Sequence, residues 1–198
     1  MEPKESRRSQ MTKKLLQTAL IELMQEKPFK QINIKELCER ADLNRTTFYL
    51  HYGDQQSVLD DIMQEIEGKT DDYMKDVSPS AETVDYIEAF LIYIQKNALL
   101  FRTLLCNEDA ESYRMAFIQH TLEKVRENLP HYGNPQQEKY VLTFLMQGSV
   151  HILIEWIKSD FDITSRQAAW LIFSLCDSVP TYDRVGGGDN LSLLQKTQ

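Results

Sequence analysis

Residues 33–52 constrain the fold of this chain more than any other segment of its 198 residues. Apolar residues recur there at the i, i+3, i+4, i+7 spacing of one helix face: Ile34, Leu37, Cys38 and Ala41. Asn33 precedes them as a favourable N-cap. Asp42 and Leu43 form a turn, Leu43 fills its corner, and Asn44 caps a following helix. The pattern predicts two short helices, at about 34–41 and 45–50, joined by a tight turn.

The rest of the chain also follows a helical pattern, and the predicted fold class is all-α. Neither sustained period-two alternation nor an Asn-Gly or Asp-Gly hairpin between apolar runs occurs in the sequence. Asp54 is placed to cap the helix after the short pair, and Ser80 to cap the next one. The remaining helices are predicted at about 9–26, 55–74, 81–97, 98–106, 109–129, 136–158 and 164–179.

Composition places the chain among globular proteins, with 42% hydrophobic and 26% charged residues. The longest apolar run, Ala89–Ile94, is too short for a bilayer, and residues 1–9 are polar, so we expect a cytoplasmic protein with no membrane partner. The cysteines, Cys38, Cys106 and Cys176, are odd in number and far apart. We interpret them as buried free thiols, with a redox sensor as the less favoured alternative.

Charge is unevenly distributed, although the whole chain carries −8. Residues 1–59 hold ten Lys and Arg against eight Asp and Glu, a balance of +2, so the remainder carries −10. A basic leading end on an acidic body is compatible with phosphate binding by the first part and solubility of the rest.

The second short helix has the chemistry of a DNA-reading helix. In a helix-turn-helix the second helix enters the major groove while the first crosses the backbone. Arg45, Thr46 and Thr47 offer donors and acceptors at its start, and Tyr49 and His51 have polar tips suited to phosphate oxygens. The alternative is an ordinary helical hairpin without a DNA role.

Residues 12–67 resemble the DNA-binding domain of the TetR family of bacterial transcriptional regulators. The resemblance rests on the stretches 15–24, 29–41 and 43–52. It implies a cytoplasmic homodimer that binds a palindromic operator on double-stranded DNA, usually as a repressor. It also implies a body domain that holds the dimer interface and a pocket for a small-molecule effector, which the sequence does not identify.

The resemblance implies a set of DNA-binding residues: Asn33, Lys35, Asn44, Arg45, Thr46, Thr47, Tyr49, His51 and Gln55. Asn33 takes the phosphate contact where the family often has threonine, and Arg45 and Thr46 are the expected base readers. Gln55 stands where the family often has a lysine, which predicts weaker non-specific affinity. Arg7 and Arg8 in the N-terminal arm are alternative phosphate or minor-groove contacts, or simply a charged end.

Three regions are expected. A helix-turn-helix domain spans 9–55, with the family-type domain extending to about 69. A long helix leads from it into a helical regulatory and dimerisation domain at 56–180, and 181–198 is a flexible polar tail.

Residues 144–158 and 163–172 resemble the last two helices of many family members, which pair across the dimer. Gly148, beside Ser149, permits close helix approach. The predicted interface residues are Gly148, Ile152, Trp156, Ala169, Ile172 and Phe173. The alternative is core packing within one subunit.

A pocket follows from the resemblance alone, and its predicted lining is Phe90, Tyr93, Tyr113, Phe117, His120, Phe144 and Gln147. We predict no cofactor and no metal site, because His151 with Glu155 and His120 with Glu123 offer only two ligands each. No catalytic motif is present, so we do not expect an enzyme. Two competing hypotheses are a transcriptional activator of the same family and a helical adaptor that has lost DNA binding.

Overall fold

The computed structural model describes residues 7–74, 83–107, 111–126 and 135–179, and within these ranges it is helical without strands. The all-α class predicted from the sequence is confirmed. The α-helices are α1 (Arg7–Glu26), α2 (Ile34–Arg40), α3 (Arg45–Tyr49), α4 (Gln55–Met74), α5 (Thr83–Lys96), α6 (Ala98–Phe101), α7 (Glu111–Arg126), α8 (Pro135–Lys158) and α9 (Ser165–Asp177). A 3₁₀ turn at Phe29–Gln31 precedes α2, and a π-helical segment at Arg102–Cys106 continues α6.

The described residues divide into two compact units. The first runs to Lys69 and includes Asn107, and the second begins at Thr70 and holds the other described residues. Helix α4 is continuous across residue 69, so one helix belongs to both units.

The first unit is a small three-helix arrangement closed by the first half of α4. Its core consists of side chains that are at most 1% exposed: Leu16, Leu20, Leu37, Phe48, Val58 and Leu59. They come from α1, α2, α3 and α4, so each short helix is fixed by burial of at least one large apolar side chain. This explains how α3, with only five residues, is held in helical form although an isolated helix of that length is unstable.

Helix starts in the first unit follow the predicted caps. Asn33 and Asn44 are the N-caps of α2 and α3. The Ser57 N–H donates to Asp54 Oδ1 at 2.8 Å, so Asp54 fulfils its predicted capping role for α4. A hydrogen bond from the Ser57 hydroxyl lowers the pKa of Asp54 and keeps it charged at the positive end of that helix. The cap predicted at Ser80 lies outside the described residues.

In the second unit α5 packs along α9, and α8 contacts α7, α9 and the π-helical segment. Arg166 on α9 pairs with Asp85 and with Glu88 on α5, the latter at 2.9 Å. Arg102 donates to the carbonyl oxygen of Ile157 at 3.0 Å, and this oxygen also accepts the Asp160 N–H at the end of α8. Thr164 and Gln167 form a capping box at the start of α9.

Helix α8 is long and apolar enough, by length and composition, to cross a membrane. One side of it is buried within the subunit, at Leu142, Leu145, Val150, Leu153, Ile154, Trp156 and Ile157. Core helices of folded domains pass the same hydropathy test, so this property is weak evidence for a membrane span.

Candidate nucleic-acid interface

The start of α2 is closed by a reciprocal capping box. The Glu36 N–H donates to Asn33 Oδ1 at 3.1 Å, while the Glu36 carboxylate accepts from the Asn33 backbone N–H and from its amide group. Lys27 donates to the same carboxylate at 2.7 Å and, as the largest cause, lowers the pKa of Glu36. Both ends of the Asn33 carboxamide are therefore engaged with Glu36, and a phosphate contact by this exposed side chain is restricted to the second N–H of its amide group.

The turn between α2 and α3 passes through the left-handed region at Asp42, where φ is 53°. The Leu43 N–H then donates to the carbonyl oxygen of Cys38 at 2.9 Å and closes the turn. Aspartate tolerates this conformation better than most L-residues, which makes the tight turn possible without glycine. The sequence predicted the turn but not the backbone conformation at Asp42.

Helix α3 presents a polar face to solvent. Phe48 is completely buried, whereas Arg45 and Thr46 are exposed and Tyr49 is 58% exposed. Thr47 is half-buried. In the part of the chain that the structure describes, Arg45 forms no ion pair, so its guanidinium is available to an external acceptor. The expected base readers thus lie on the accessible side of a helix whose other side is locked into the core.

Asn44 belongs to the scaffold of this face. Its Oδ1 accepts the Thr47 N–H at 2.7 Å and caps α3. The side chain is exposed, but its oxygen atom is used inside the protein. Its structural role is therefore clear, and a DNA contact at this position is restricted to the remaining amide group.

A polar network behind α3 was missed by the sequence analysis. The Tyr52 hydroxyl donates to Asp61 Oδ2 at 2.6 Å, and Gln17 Nε2 donates to the same oxygen at 3.2 Å. Lys13 lies 3.9 Å from that carboxylate. These bonds tie α1, the end of α3 and α4 together, and only the tyrosine at position 52 was visible as part of a motif.

The other predicted DNA-binding residues lie at the margins. His51 Nδ1 is 3.4 Å from the Ser9 hydroxyl, so the first turn of α1 lies beside the end of α3. Gln55 Nε2 makes a long contact of 3.5 Å to the carbonyl oxygen of Ile32. Lys35 is exposed and lies 3.7 Å from Glu39, a weak surface pair that does not prevent a phosphate contact.

Three of the predicted pocket residues lie together in the second unit. Phe90, Tyr93 and Phe117 form a cluster, with ring centroids 6.2 Å apart for Phe90–Phe117 and 6.3 Å for Phe90–Tyr93. Tyr73 and Phe101 join this aromatic cluster. The sequence pattern had not assigned those two residues to the lining.

The remaining predicted lining residues have different surroundings. His120 Nε2 is 2.8 Å from Asp71 Oδ1, Tyr113 is half-buried, and Gln147 contacts the Met115 sulfur at 4.0 Å. Phe144 is 71% exposed. A phenyl ring in solvent does not enclose a ligand, so the assignment of Phe144 to a pocket is corrected.

The predicted interface set also needs correction. Trp156 is 4% exposed and donates its Nε1–H to the carbonyl oxygen of Ile163 at 2.8 Å, and Ala169 is completely buried. Both are core residues of the subunit and have no surface to offer a partner. Ile152, Ile172 and Phe173 are partly buried, and Gly148 has no described atom within 4 Å of where a Cβ would stand.

The exposed apolar side chains of α8 and α9 are different ones. On α8 they are Tyr140 and Phe144, and on α9 they are Trp170, Leu171 and Leu175, each between 41% and 71% exposed. Apolar residues four positions apart, as at 140 and 144 or at 171 and 175, share one helix face, and this signal was present in the sequence. Of the six residues predicted for the interface, Trp156 and Ala169 are buried instead.

Cysteine and metal chemistry finds little support in the described residues. Burial raises the pKa of the Cys38, Cys106 and Cys176 thiols and keeps them protonated, which disfavours a redox sensor. No group of three or more His, Cys, Asp or Glu residues suited to a metal occurs in the described ranges. His151 Nδ1 instead lies 2.8 Å from the carbonyl oxygen of Gln147.

Comparison with known proteins places this helix-turn-helix fold in a class. A TetR-type family model, described as a transcriptional regulator C-terminal region, matches residues 81–178. A TetR transcriptional regulator from Streptococcus agalactiae shares 22% identity, with a TM-score of 0.65 over 86% of this chain and 96% of that chain. No curated protein matches the chain significantly.

Two further solved structures share the fold at lower identity. A TetR-family regulator from Syntrophomonas wolfei is 13% identical, with a TM-score of 0.60 over 91% of this chain and 98% of that chain. The dihydroxyacetone kinase operon activator DhaS is 16% identical, with a TM-score of 0.54 over 83% of this chain and 93% of that chain. The fold is thus shared with solved helix-turn-helix transcriptional regulators. Residues 81–178 match a TetR-type family of transcriptional regulators, and the fold of the chain is shared with solved TetR regulators.

Proposed function

We propose that this regulator binds a palindromic operator as a homodimer through α3, and that it acts in the cytoplasm as a repressor released by a small molecule. The observation that carries the DNA-binding part is the exposed polar face of α3. Arg45, Thr46 and Tyr49 are accessible there, while Phe48 and the Tyr52–Asp61 bond fix the opposite side. A rigid helix with free donors on one face has the geometry needed to read base edges.

The roles differ along α3. Arg45 is suited to a bidentate contact with a guanine, and Thr46 to a hydroxyl or methyl contact with a base. Tyr49 and His51 are suited to phosphates, and Thr47, half-buried, to fixing the backbone. Lys35 adds a phosphate contact from α2. The neutral Gln55, at a position where the family often has lysine, leaves this surface with less positive charge than the family pattern implies.

Dimerisation is proposed through the outer faces of α8 and α9. Helix α8 buries one side in its own subunit and still carries Tyr140 and Phe144 on the other, 66% and 71% exposed. Helix α9 exposes Trp170 and Leu171. Paired apolar helices with a small residue at Gly148 fit a symmetric interface in which the same patch of both copies meets. A dimer would place two copies of α3 in successive major grooves, about 34 to 36 Å apart.

Effector release is proposed to act through α4. Its last turns carry Tyr73, in ring contact with Phe90 and Tyr93, and Asp71, bonded to His120 on α7. A ligand that separates the aromatic cluster would displace these partners of α4, and α4 is continuous with the DNA-binding unit. Effector and operator affinity are then reciprocally coupled.

The DNA-binding proposal is tested by recovering genomic fragments bound to the purified protein at two salt concentrations and sequencing them. One enriched palindromic site whose affinity falls with salt is expected, because phosphate contacts release counterions. Arg45→Ala should lower operator affinity by about 1–3 kcal/mol without changing the melting temperature. Lys158→Ala removes an exposed cation from α8 and is the matched control.

No enrichment by the wild-type protein at either salt concentration would remove the DNA-binding proposal and favour an adaptor. The sign of regulation is a separate question, since one protein of this fold is named an operon activator. A reporter under the recovered site, with the regulator present or deleted, decides it. Higher expression on deletion is the expected result for a repressor.

A further inference from the structure

Leu50 is the C-cap residue of α3, and it exposes an apolar side chain to solvent. It is 77% exposed, the highest value among the large apolar side chains that the structure describes. Its N–H still donates to the carbonyl oxygen of Thr46 at 3.3 Å, and its φ and ψ are −73° and −18°. The residue therefore continues the helix, and its direction follows from helical geometry.

That direction is set by Phe48. Successive residues on a helix are rotated by about 100°, so positions two residues before and two after Phe48 lie about 160° from it on either side. These positions are Thr46 and Leu50. Since Phe48 is 0% exposed and points into the core, Thr46 and Leu50 form the centre of the outer face. Arg45 and Tyr49 lie on one flank of that pair, and Thr47 on the other.

The centre of this face offers methyl groups: the two of Leu50 and the one of Thr46. The major groove has one strongly apolar feature, the C5-methyl group of thymine, and side-chain methyl groups are its usual partners. From this juxtaposition we propose that Leu50 is a specificity-determining residue that packs on a thymine methyl in each operator half-site. The proposal rests on the DNA-binding function proposed above.

Uracil scanning of the operator tests it. Each thymine of the recovered half-site is replaced in turn by deoxyuridine, which removes the methyl group and leaves base pairing unchanged. For the wild-type protein, we expect the replacement at one position to weaken binding by about four-fold, the affinity ratio that corresponds to the transfer free energy of one methyl group. Replacement in both half-sites is expected to weaken it by about fifteen-fold.

The variants assign that penalty to Leu50. Leu50→Ser should abolish the penalty at that position, while Leu50→Met, which keeps apolar reach, should retain most of it. Leu15→Ala is the matched control, since Leu15 on α1 is 44% exposed and should leave the penalty intact. Circular dichroism melts check that each variant is folded, as expected for changes at exposed positions.

The outcomes separate this inference from the function on which it rests. Specific operator binding with no uracil-sensitive position, or with a penalty that Leu50→Ser leaves unchanged, would overturn the role of Leu50 alone. Failure of the wild-type protein to select any operator would overturn both proposals.

Discussion

The outer face of α3 and the outer faces of α8 and α9 are both exposed, but they differ in chemistry and support. The α3 face is mostly polar, with the apolar Leu50 at its centre. The Asn44 cap and the hydrogen bond between Tyr52 and Asp61 hold α3 in place. The α8 and α9 faces are apolar over several turns and carry large rings such as Phe144 and Trp170. The first suits a polar, charged partner with a fixed groove, and the second suits another protein surface.

The two regions also differ in the contacts that hold their helices in place. In the first unit, Asn33, Asn44 and Asp54 cap their helices, and Asp61 binds Tyr52 and Gln17. Such bonds hold side chains within about 0.5 Å of a required geometry, as base reading demands. In α8 and α9 polar contacts such as the Thr164–Gln167 capping box hold the helix ends, while apolar packing supports the buried side and leaves large apolar side chains exposed on the other.

The largest effect is expected from a charge introduced into the apolar face of α8 and α9. Phe144→Asp places a charge in the centre of the proposed interface, where it has no partner, and should raise the dimer dissociation constant by about 100-fold or more. Sedimentation equilibrium measures it. Leu99→Asp on α6, where the leucine is 48% exposed, is the control and should remain dimeric. A Phe144→Asp protein as dimeric as the control would exclude this face as the interface.

Two tyrosine variants separate the internal support of α3, to which Tyr52 belongs, from its exposed face, to which Tyr49 belongs. Tyr52→Phe removes a 2.6 Å hydrogen bond to the Asp61 carboxylate and should lower the free energy of unfolding by about 1–3 kcal/mol. Tyr49→Phe removes a hydroxyl from a ring that is 58% exposed and should leave stability unchanged while weakening operator binding several-fold. Urea denaturation and a shift assay measure both quantities. Equal stability losses in the two variants would contradict the division of roles.

The smallest expected effect concerns the cap of α2. The pKa of Glu36 is lowered in the folded protein, chiefly by the hydrogen bond from Lys27, so its stabilising contribution is present above the unfolded value of about 4.3. It is lost as the pH falls through the lower folded value. Glu36→Gln should therefore melt below the wild type at pH 7, with the difference shrinking below about pH 4.

Melting curves across that pH range measure this difference. Glu39→Gln removes a carboxylate from the same helix without touching the cap, and it should change the melting temperature less at neutral pH. A Glu36→Gln difference that stays constant down to about pH 3 would show that the cap does not depend on the charge of Glu36.

The sequence was most informative about the helix-turn-helix. Helix α4 was predicted with its observed bounds, and Asn33, Asn44 and Asp54 were predicted as caps, because capping and helix periodicity depend on neighbours within a few residues. The sequence did not show that the Asn33 side chain is held by Glu36 or that Leu50 lies at the centre of the outer face. The first depends on side-chain geometry and the second on which residue of α3 is buried.

The body of the protein shows the opposite balance. By itself, the sequence determined that α8 and α9 are apolar helices and that the chain resembles the TetR family. Only the tertiary structure decided that Trp156 and Ala169 are buried while Phe144 and Trp170 are exposed. The physical reason is that α8 carries apolar residues on more than one side. Periodicity then identifies a helix without telling which side its own subunit covers, and that depends on packing between residues far apart in the chain.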